Sequence, residues 1–490
     1  MRRLGQLAER TPAGRERYID LLRALAITMV VAGHWGVTVI VRDAAGRPTG
    51  HSALGDLPWA YPLTWPGQVL PVFFLVGGYA NAASLARRRE RGGDAAGWLL
   101  DRSARLVRPT SALLLVLTAA AALARLRGAD AAQIRTVVWF ATIPLWFLVA
   151  YLVVVVLTPP MHALHRRYGL AVPLVLVALV ALGDIGRLAG PTVLADGNYL
   201  FGWLAVHQLG FAWYDARSAT AATGPPSRPA GTTAPAGTAQ GGTAPPPTAG
   251  TRPPSGSDSA GVRRRRLPTS RPVALALLTG GLAALVLLTV VGPWPVSMLH
   301  VPGERLDNAS PPSLALLALA AAQLGLILLL RDPAERWLRR PRPWRAVIAV
   351  NLVVLTVFLW HLTAAVLLIG LLDAVGLLPT PRVGSAAWWG WRVPWLLMLS
   401  VVLAGLVAVF GPVEARSARH RPGRRGGRTS RARAALTVAG YAAVVGGLLV
   451  NSVTPQRTPE PLGTPVPALV AYLAGAGVLR LLRSGWGSRG

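Results

Sequence analysis

The sequence predicts an all-α polytopic integral membrane protein, a helical bundle of about ten to twelve transmembrane helices. Hydrophobic residues make up 52% of the 490-residue chain and charged residues only 14%, with a mean hydropathy of +0.45. Apolar runs of about bilayer length recur along the chain, and arginines cluster between them. The formal net charge of +30 therefore indicates membrane orientation rather than nucleic-acid binding.

The apolar runs give about twelve candidate spans. Leu170–Leu182 is short for a membrane helix, and the last two candidates are rich in alanine and glycine. In chain order, the candidate spans are Leu21–Val41, Val69–Ala86, Thr110–Leu126, Val137–Leu157, Leu170–Leu182, Tyr199–Tyr214, Val273–Val291, Leu314–Leu330, Ala346–Leu368, Val393–Phe410, Ala434–Val450 and Pro467–Leu482.

The basic residues predict the orientation. All 50 are arginines, and most lie in loops that face one side when the spans alternate, as in Arg87–Arg91, Arg336–Arg340 and Arg416–Arg433. The positive-inside rule then places both termini in the cytoplasm. The alanine-, glycine- and arginine-rich composition is typical of a high-GC bacterial genome, which predicts the bacterial cell membrane. The lack of cysteine excludes disulfides, thiolate metal sites and a cysteine acyl-enzyme.

A segment rich in proline, threonine, alanine and glycine divides the spans into two halves. Ser218–Ser259 has few large apolar residues, so we predict a disordered linker. Arg263–Arg266 follows and indicates an anchor on anionic lipid, with a nucleic-acid patch as the alternative. The predicted organisation is a cytoplasmic N-terminus (1–20), a first membrane half with the core motifs (21–217), the linker (218–270), a second membrane half (271–412), and a basic loop with two further helices (413–490).

The first span contains the strongest candidates for a functional site. Arg23 and His34 fall within roughly 20° of each other on a helical wheel, with Asp20 nearby. The helical rise places the histidine about 16 Å deeper than the arginine. Ionisable residues inside a membrane usually face a cavity or a partner, which favours a function. Alternatively, Arg23 reaches the interface and pairs with Asp20, while His34 bonds a neighbouring helix.

This stretch, RYIDLLRALA followed by GHW, resembles the first helix of the integral-membrane acyltransferase family 3. The resemblance implies transfer of an acyl group from acyl-CoA to a hydroxyl of a sugar, a glycan or another envelope or secondary-metabolite acceptor. Two other positions depart from the family's usual pattern. Gly77 stands where the family usually has serine, and Tyr151 where many members have a carboxylate. Gly77 and Gly78 could serve close helix packing or the approach of a ligand.

Arginines at the start of the third span are candidates for donor binding. Arg102 and Arg105 are three residues apart and share a helical face, with Arg108 beyond them. The pair resembles the family's R-x-x-R element, which implies contacts with the phosphates of CoA. Loops that follow the positive-inside rule also produce such pairs, so an orienting role is the alternative.

Two later histidines also lie within candidate spans. Phe358–Leu362 resembles a histidine-containing signature of the family, and His361 lies at about the same depth as His34. We therefore predict that the first and ninth spans bring His34 and His361 within about 10 Å of each other. A lone histidine bonded to a neighbouring helix is the alternative for His361 and for His207. His162 and His165 have no carboxylate or cysteine beside them that could complete a metal site, so no metal is predicted.

The resemblance therefore implies a membrane O-acyltransferase that uses acyl-CoA, with acetyl-CoA as the expected donor, and the sequence predicts no metal or nucleic acid. In this hypothesis His34 is the general base, Arg23 stabilises the donor or the developing oxyanion, and His361 shares the site. The alternatives are a transporter or flippase, in which these residues line an intramembrane path, and a scaffold for envelope assembly. The lack of an internal repeat argues against a transporter.

Overall fold

A computed structural model describes Glu9 and residues 15–44, 46–190, 193–222, 266–419 and 430–484. Fourteen main helices occur in these ranges, together with several shorter turns. They are α1 (Arg17–Val37), α2 (Leu70–Glu90), α3 (Ala95–Leu126), α4 (Ala131–Thr142), α5 (Leu145–Tyr168), α6 (Ala171–Ala189), α7 (Asn198–Ala222), α8 (Arg271–Val286), α9 (Leu314–Trp337), α10 (Pro341–Leu352), α11 (Val354–Ala374), α12 (Ala386–Arg419), α13 (Arg431–Val453) and α14 (Val466–Arg483).

The fold class is confirmed. Within the described ranges, 11 helices are long and apolar enough to cross a membrane, and the one sheet is a two-stranded hairpin. Of the predicted spans, only the one in α7 is not among these 11 helices. This 25-residue helix carries polar residues such as His207 and Gln208, which are fully buried in the bundle.

The first predicted span ends earlier than expected. Helix α1 stops at Val37, and the next residues form strand β1 (Thr38–Arg42), which pairs antiparallel with β2 (Pro48–Ser52). The prediction that the helix continues to Val41 was therefore wrong. Thr38 and Val39 are β-branched and suit a strand as well as an apolar span, so hydrophobicity alone did not mark the boundary.

Two predicted spans are each divided into two helices. The 137–157 span breaks between α4 and α5, where Pro144 immediately precedes α5. Proline has no amide hydrogen, and its ring crowds the carbonyl four residues earlier in a helix, which explains the break. The 346–368 span breaks at Val353, between α10 and α11. Glu414 of α12 accepts hydrogen bonds from the first free amides of α11, those of Leu355 (3.1 Å) and Thr356 (2.7 Å).

The helix at the span predicted for 170–182 is longer than the hydrophobic run on which the prediction was based. Helix α6 continues through Asp184 to Ala189. The Asp184 carboxylate is buried, but it accepts hydrogen bonds from the backbone amide of Leu314 (2.7 Å) and from the side chain of Asn198 (3.0 Å). These partners satisfy the carboxylate inside the bundle, so the helix does not end at this polar residue.

Helices α2 and α7 cross at very short range. A Cβ atom at Gly78 would lie 2.0 Å from the carbonyl oxygen of His207, and one at Gly210 would lie 2.3 Å from that of Leu75. Only glycine fits at either position. The sequence left close helix packing and the approach of a ligand as alternatives for Gly77 and Gly78. For Gly78 the structure shows close helix packing.

Side-chain contacts define two ends of the bundle. At the first, which we call the arginine end, Arg17 donates to the carbonyl of Leu338 (2.8 Å) and Arg217 pairs with Glu16 (2.7 Å). Helix α1 begins there, and α7 and α9 end there. At the opposite end, which we call the β-hairpin end, Arg42 pairs with Asp373 (2.7 Å). Helices α1 and α11 therefore run in the same direction.

Several sequence predictions lie partly outside the described residues. Helix α7 continues to Ala222, past the predicted start of the linker at residue 218. Residues 223–265 of the predicted linker, which include most of the Arg263–Arg266 run, are outside the described ranges. The same holds for residues 420–429 of the basic loop. The last two predicted spans are confirmed as helices α13 and α14.

Candidate active site

Helices α1 and α11 bring two histidines into direct contact. The Nε2 atom of His361 lies 3.0 Å from the Nδ1 atom of His34, and the two rings stack with centroids 5.0 Å apart. The prediction that these rings lie within about 10 Å is therefore confirmed. His361 is fully buried, whereas His34 is half-buried.

The neighbours of this pair select one arrangement of protons. His361 Nδ1 lies 2.7 Å from the carbonyl oxygen of Phe358, which can only accept, so this nitrogen carries the hydrogen. In a neutral His361 ring, Nε2 must then accept a hydrogen bond, and the Nδ1–H of His34 donates it. The remaining nitrogen of a neutral His34, Nε2, is then unprotonated and can act as a base.

The backbone around the pair is also fixed by side chains. The indole Nε1 of Trp35 donates to the carbonyl of His361 (3.0 Å), which joins α1 to α11 at the level of the two rings. One turn beyond His34, the hydroxyl of Thr38 donates to its carbonyl (2.6 Å). The Trp35 contact therefore keeps the two helices in register, and neither of these two bonds uses Nε2 of His34.

Arg23 lies closer to the arginine end of α1 and has a carboxylate partner. Its guanidinium donates to Asp20 (3.2 Å) and lies 3.5 Å from the side-chain oxygen of Asn351. Asp20 also accepts from Arg15 at 2.6 Å. The Asp20–Arg23 ion pair considered from the sequence is thus formed. Two arginines share one carboxylate, so the cluster keeps net positive charge.

A cavity of about 1090 Å³ opens beside Arg23. Its wall includes Arg102 and Arg105 of α3, so three predicted arginines share one space, whereas Arg108 is exposed and not part of the lining. The other lining residues are Ile27, Phe73, Val76, Gly77, Ala80, Leu106, Phe147, Leu148, Tyr151, Asn351, Leu352, Val353, Val354, Leu355, Phe358, Val407, Gly411, Pro412, Glu414, Ala415 and Arg416.

The cavity ends at a group of phenylalanines before it reaches the histidines. The Phe147 ring lies 5.5 Å from that of Phe73 and 5.5 Å from that of Phe358. Phe358 in turn lies 6.1 Å from the ring of His361. Neither histidine lines the cavity. Phe358 therefore lies between the arginine-lined space and His361, and Phe147 packs against it.

The two positions that depart from the family pattern are in contact. A Cβ atom at Gly77 would lie 2.9 Å from Cε2 of Tyr151. Tyr151 also accepts a hydrogen bond from Arg102 (3.3 Å). The tyrosine ring thus occupies the space that a side chain at residue 77 would need, and its hydroxyl holds one of the cavity arginines.

The other predicted histidines lie elsewhere. His207 is fully buried and accepts from the side-chain amide of Asn81 (3.0 Å). His162 lies 3.2 Å from Arg89, and His165 lies 3.3 Å from Asp215. None of the three lines the cavity. In the described part of the chain, no three histidine or acidic side chains are grouped as metal ligands would be.

Two polar residues of the cavity wall, Asn351 and Glu414, were not predicted from the sequence. Asn351 joins α10 to α1 through a hydrogen bond to the carbonyl of Asp20 (2.8 Å). Glu414 is a lone acidic residue near the end of a long apolar run, and that isolation was the only sequence signal for it.

Together, the fold and the site define a polytopic membrane protein with an intramembrane histidine pair beside an arginine-lined cavity. The family model of acyltransferase family 3, described as an acyltransferase domain, matches residues 16–413. Because this range covers most of the chain, the chain belongs to that family and is a membrane acyltransferase. Searches of curated proteins and of solved structures find no match. The matched range contains both histidines and all of the cavity arginines except Arg416.

Proposed function

We propose that the protein transfers an acyl group from acyl-CoA to a hydroxyl group, with His34 as the general base. The observation that carries this proposal is the His34–His361 contact, because it leaves Nε2 of a neutral His34 unprotonated. A hydroxyl is a poor nucleophile until its proton is removed, and a positioned imidazole does this near neutral pH.

The arginine-lined cavity is the proposed donor site. CoA carries several phosphate charges, and Arg23, Arg102 and Arg105 supply positive charge at one end of the cavity. The rest of the wall is largely apolar and aromatic, which suits the pantetheine arm and the acyl group. The volume of about 1090 Å³ is just above the usual range of small-molecule sites, which suits a ligand as large as CoA.

The reaction then takes place between the two spaces. The acceptor oxygen attacks the thioester carbonyl, its proton moves to Nε2 of His34, and the carbon–sulfur bond breaks. The proton passes to the departing thiolate, so CoA leaves as the free thiol and the acceptor carries a new ester. Phe358 lies between the cavity and His361, so its ring must turn aside when the thioester enters. In the closed arrangement the same ring keeps water from the thioester.

The orientation follows from the chemistry of the donor. Acyl-CoA is a cytoplasmic metabolite, so the arginine end is proposed to face the cytoplasm of a bacterial cell, in agreement with the positive-inside rule. The acceptor, a sugar, glycan or other envelope or secondary-metabolite hydroxyl, would approach the half-buried side of His34.

The test uses the purified full-length protein in lipid vesicles with acyl-labelled acetyl-CoA and a panel of monosaccharide and oligosaccharide acceptors. We expect release of CoA that depends on both the protein and an acceptor, with the label recovered as an ester. The His34→Gln variant provides the inactive control. Label that remains on CoA with every acceptor, combined with protein-dependent uptake of a solute into the vesicles, would favour a transporter instead.

A further inference from the structure

The last two helices lie beyond the matched residues 16–413 but pack against α3, the helix that carries two of the cavity arginines. Helices α13 and α14 form one antiparallel unit, the C-terminal helix pair. Their backbones approach closely at three glycines: a Cβ at Gly447 would lie 2.5 Å from the carbonyl of Ala468, and one at Gly475 would lie 2.5 Å from that of Gly440. Such tight packing makes the C-terminal helix pair a single rigid body.

Two buried tyrosines connect this unit to α3 on either side of the cavity arginines. The hydroxyl of Tyr441 donates to the carbonyl of Leu99 (3.2 Å), three residues before Arg102. The hydroxyl of Tyr472 donates to the carbonyl of Val107 (3.0 Å), two residues after Arg105. Both side chains are almost fully buried. The turn of α3 that carries the two arginines is therefore held at both of its ends.

One end of the C-terminal helix pair is fixed by Arg135 of α4, which is fully buried. Its guanidinium donates to the side chain of Asn451 (2.9 Å) and to the carbonyls of Thr454 (2.6 Å) and Gly463 (3.0 Å). These acceptors lie at the end of α13 and in the loop that leads to α14. The C-terminal helix pair is thus anchored at this end as well as at the two tyrosines, and it cannot slide along α3 without breaking buried hydrogen bonds.

Two features weaken α3 near the cavity arginines, a proline inside the helix and a pair of like charges. Pro109 lies inside the helix and has no amide hydrogen, so the carbonyl of Arg105 lacks its helical partner at this point. Arg102 and Arg105 also carry like charges on one face, beside Arg23. The weak point of the helix therefore coincides with the residues that must stay in position, and Tyr472 bonds α3 next to the proline.

We propose that the C-terminal helix pair positions the arginine face of α3 for the donor, and that Tyr441 and Tyr472 are its positioning residues. This inference rests on the proposed function, in which Arg102 and Arg105 contact the CoA phosphates. It predicts that the two hydroxyl groups affect donor binding although neither tyrosine lines the cavity.

The first measurement compares the double variant Tyr441→Phe/Tyr472→Phe with the matched control Tyr18→Phe. Tyr18 is also buried and also donates to a carbonyl, that of Ile327 (2.8 Å), but it joins α1 to α9. We expect the double variant to raise the KM for acyl-CoA by about three- to tenfold, with kcat and the acceptor KM changed less than about twofold. The control should leave the donor KM unchanged.

An acyl-pantetheine donor, which lacks the nucleotide phosphates, separates positioning from a general loss of structure. Because this donor cannot use the phosphate contacts, its KM should be the same in the parent and in the double variant. An equal rise in KM for both donors, or no rise for acyl-CoA, would overturn the proposal.

A second measurement does not depend on the catalysed reaction. The chain has no cysteine, so spin labels can be placed on Ala95→Cys of α3 and Ala163→Cys of α5, both of which are exposed. We expect a broader distance distribution in the double variant and an unchanged one in Tyr18→Phe. Unchanged distances in the double variant would overturn the proposal, even if the parent protein failed to use acyl-CoA and the proposed function were wrong.

Discussion

The histidine pair and the arginine cavity are neighbouring sites that are built in different ways. His361 is enclosed, and its two ring nitrogens contact defined partners, one of them His34 at 3.0 Å. The cavity arginines are partly exposed: Arg23 pairs with Asp20, Arg102 donates to Tyr151, and both line with Arg105 a space of about 1090 Å³. A bond-making step needs fixed geometry, whereas recognition of a polyanion depends mainly on the number and placement of charges.

The largest effect is expected from His34, because nothing else at the histidine pair can replace its free nitrogen. His34→Gln keeps the volume and some hydrogen bonding but removes the base, so kcat should fall by about 10²- to 10⁴-fold. Expression, membrane insertion and donor KM should change little. The kinetics are measured with labelled acyl-CoA, and full turnover by the glutamine variant would rule out a general base at this residue.

His361 should have a smaller effect, because it acts on the acceptor only through His34. His361→Phe retains the ring packing but removes the acceptor for the Nδ1–H of His34. Since the proton on His34 would then no longer be fixed to Nδ1, we expect a loss in kcat of about ten- to a hundredfold. A comparison of donor KM in the same assay serves as the control. A rise in KM at constant kcat would show that His361 belongs to donor binding instead.

The cavity should respond in the opposite way to the histidine pair. Arg102→Ala/Arg105→Ala removes two charge-assisted contacts, so the donor KM should rise by roughly tenfold or more, with a milder loss of kcat. The salt dependence of the donor KM should also weaken, because fewer charges take part. Arg125→Ala/Arg127→Ala, at the far end of the same helix, removes the same number of charges and is the charge-matched control. An unchanged donor KM in the double variant would return these arginines to an orienting role.

The smallest effect is expected where Gly77 meets Tyr151. Gly77→Ser introduces an atom that would lie 2.9 Å from the tyrosine ring, and the strain should cost about 1–3 kcal/mol of stability. Tyr151→Val removes the ring and should cancel most of that cost, which a double-mutant cycle of thermal stability measures. Additive effects would mean that the two positions are independent and that the departures from the family pattern are unrelated.

The sequence predicted much of the fold and the central part of the site. Hydrophobic runs found the helices, and the helical rise along α1 and α11 was enough to place His34 and His361 at one level. Of the two breaks inside predicted spans, the one at Pro144 had a local signal in the sequence, whereas the one before α11 had none. The break before α11 is stabilised by Glu414, whose position depends on the packing of another helix. No pattern local to residue 353 records that contact.

The shape of the cavity could not be predicted from the sequence either. Arg102 and Arg105 were predicted to share a helical face. Arg108 lies outside the cavity lining because of the way α3 is rotated in the bundle, and that rotation depends on tertiary packing. The contact between Gly77 and Tyr151 joins residues of two different helices. Sequence spacing gives the faces of single helices, whereas tertiary packing decides which faces meet.

Chemical rescue tests the role of His34 most directly. The His34→Ala variant is assayed for acyl transfer in the presence of imidazoles that differ in basicity, which can occupy the space of the lost side chain. The proposed mechanism predicts that the rate recovers in proportion to the imidazole concentration and increases with the pKa of the added base. A rescue that does not depend on this pKa, or an alanine variant that needs no added base, would contradict general-base catalysis by His34.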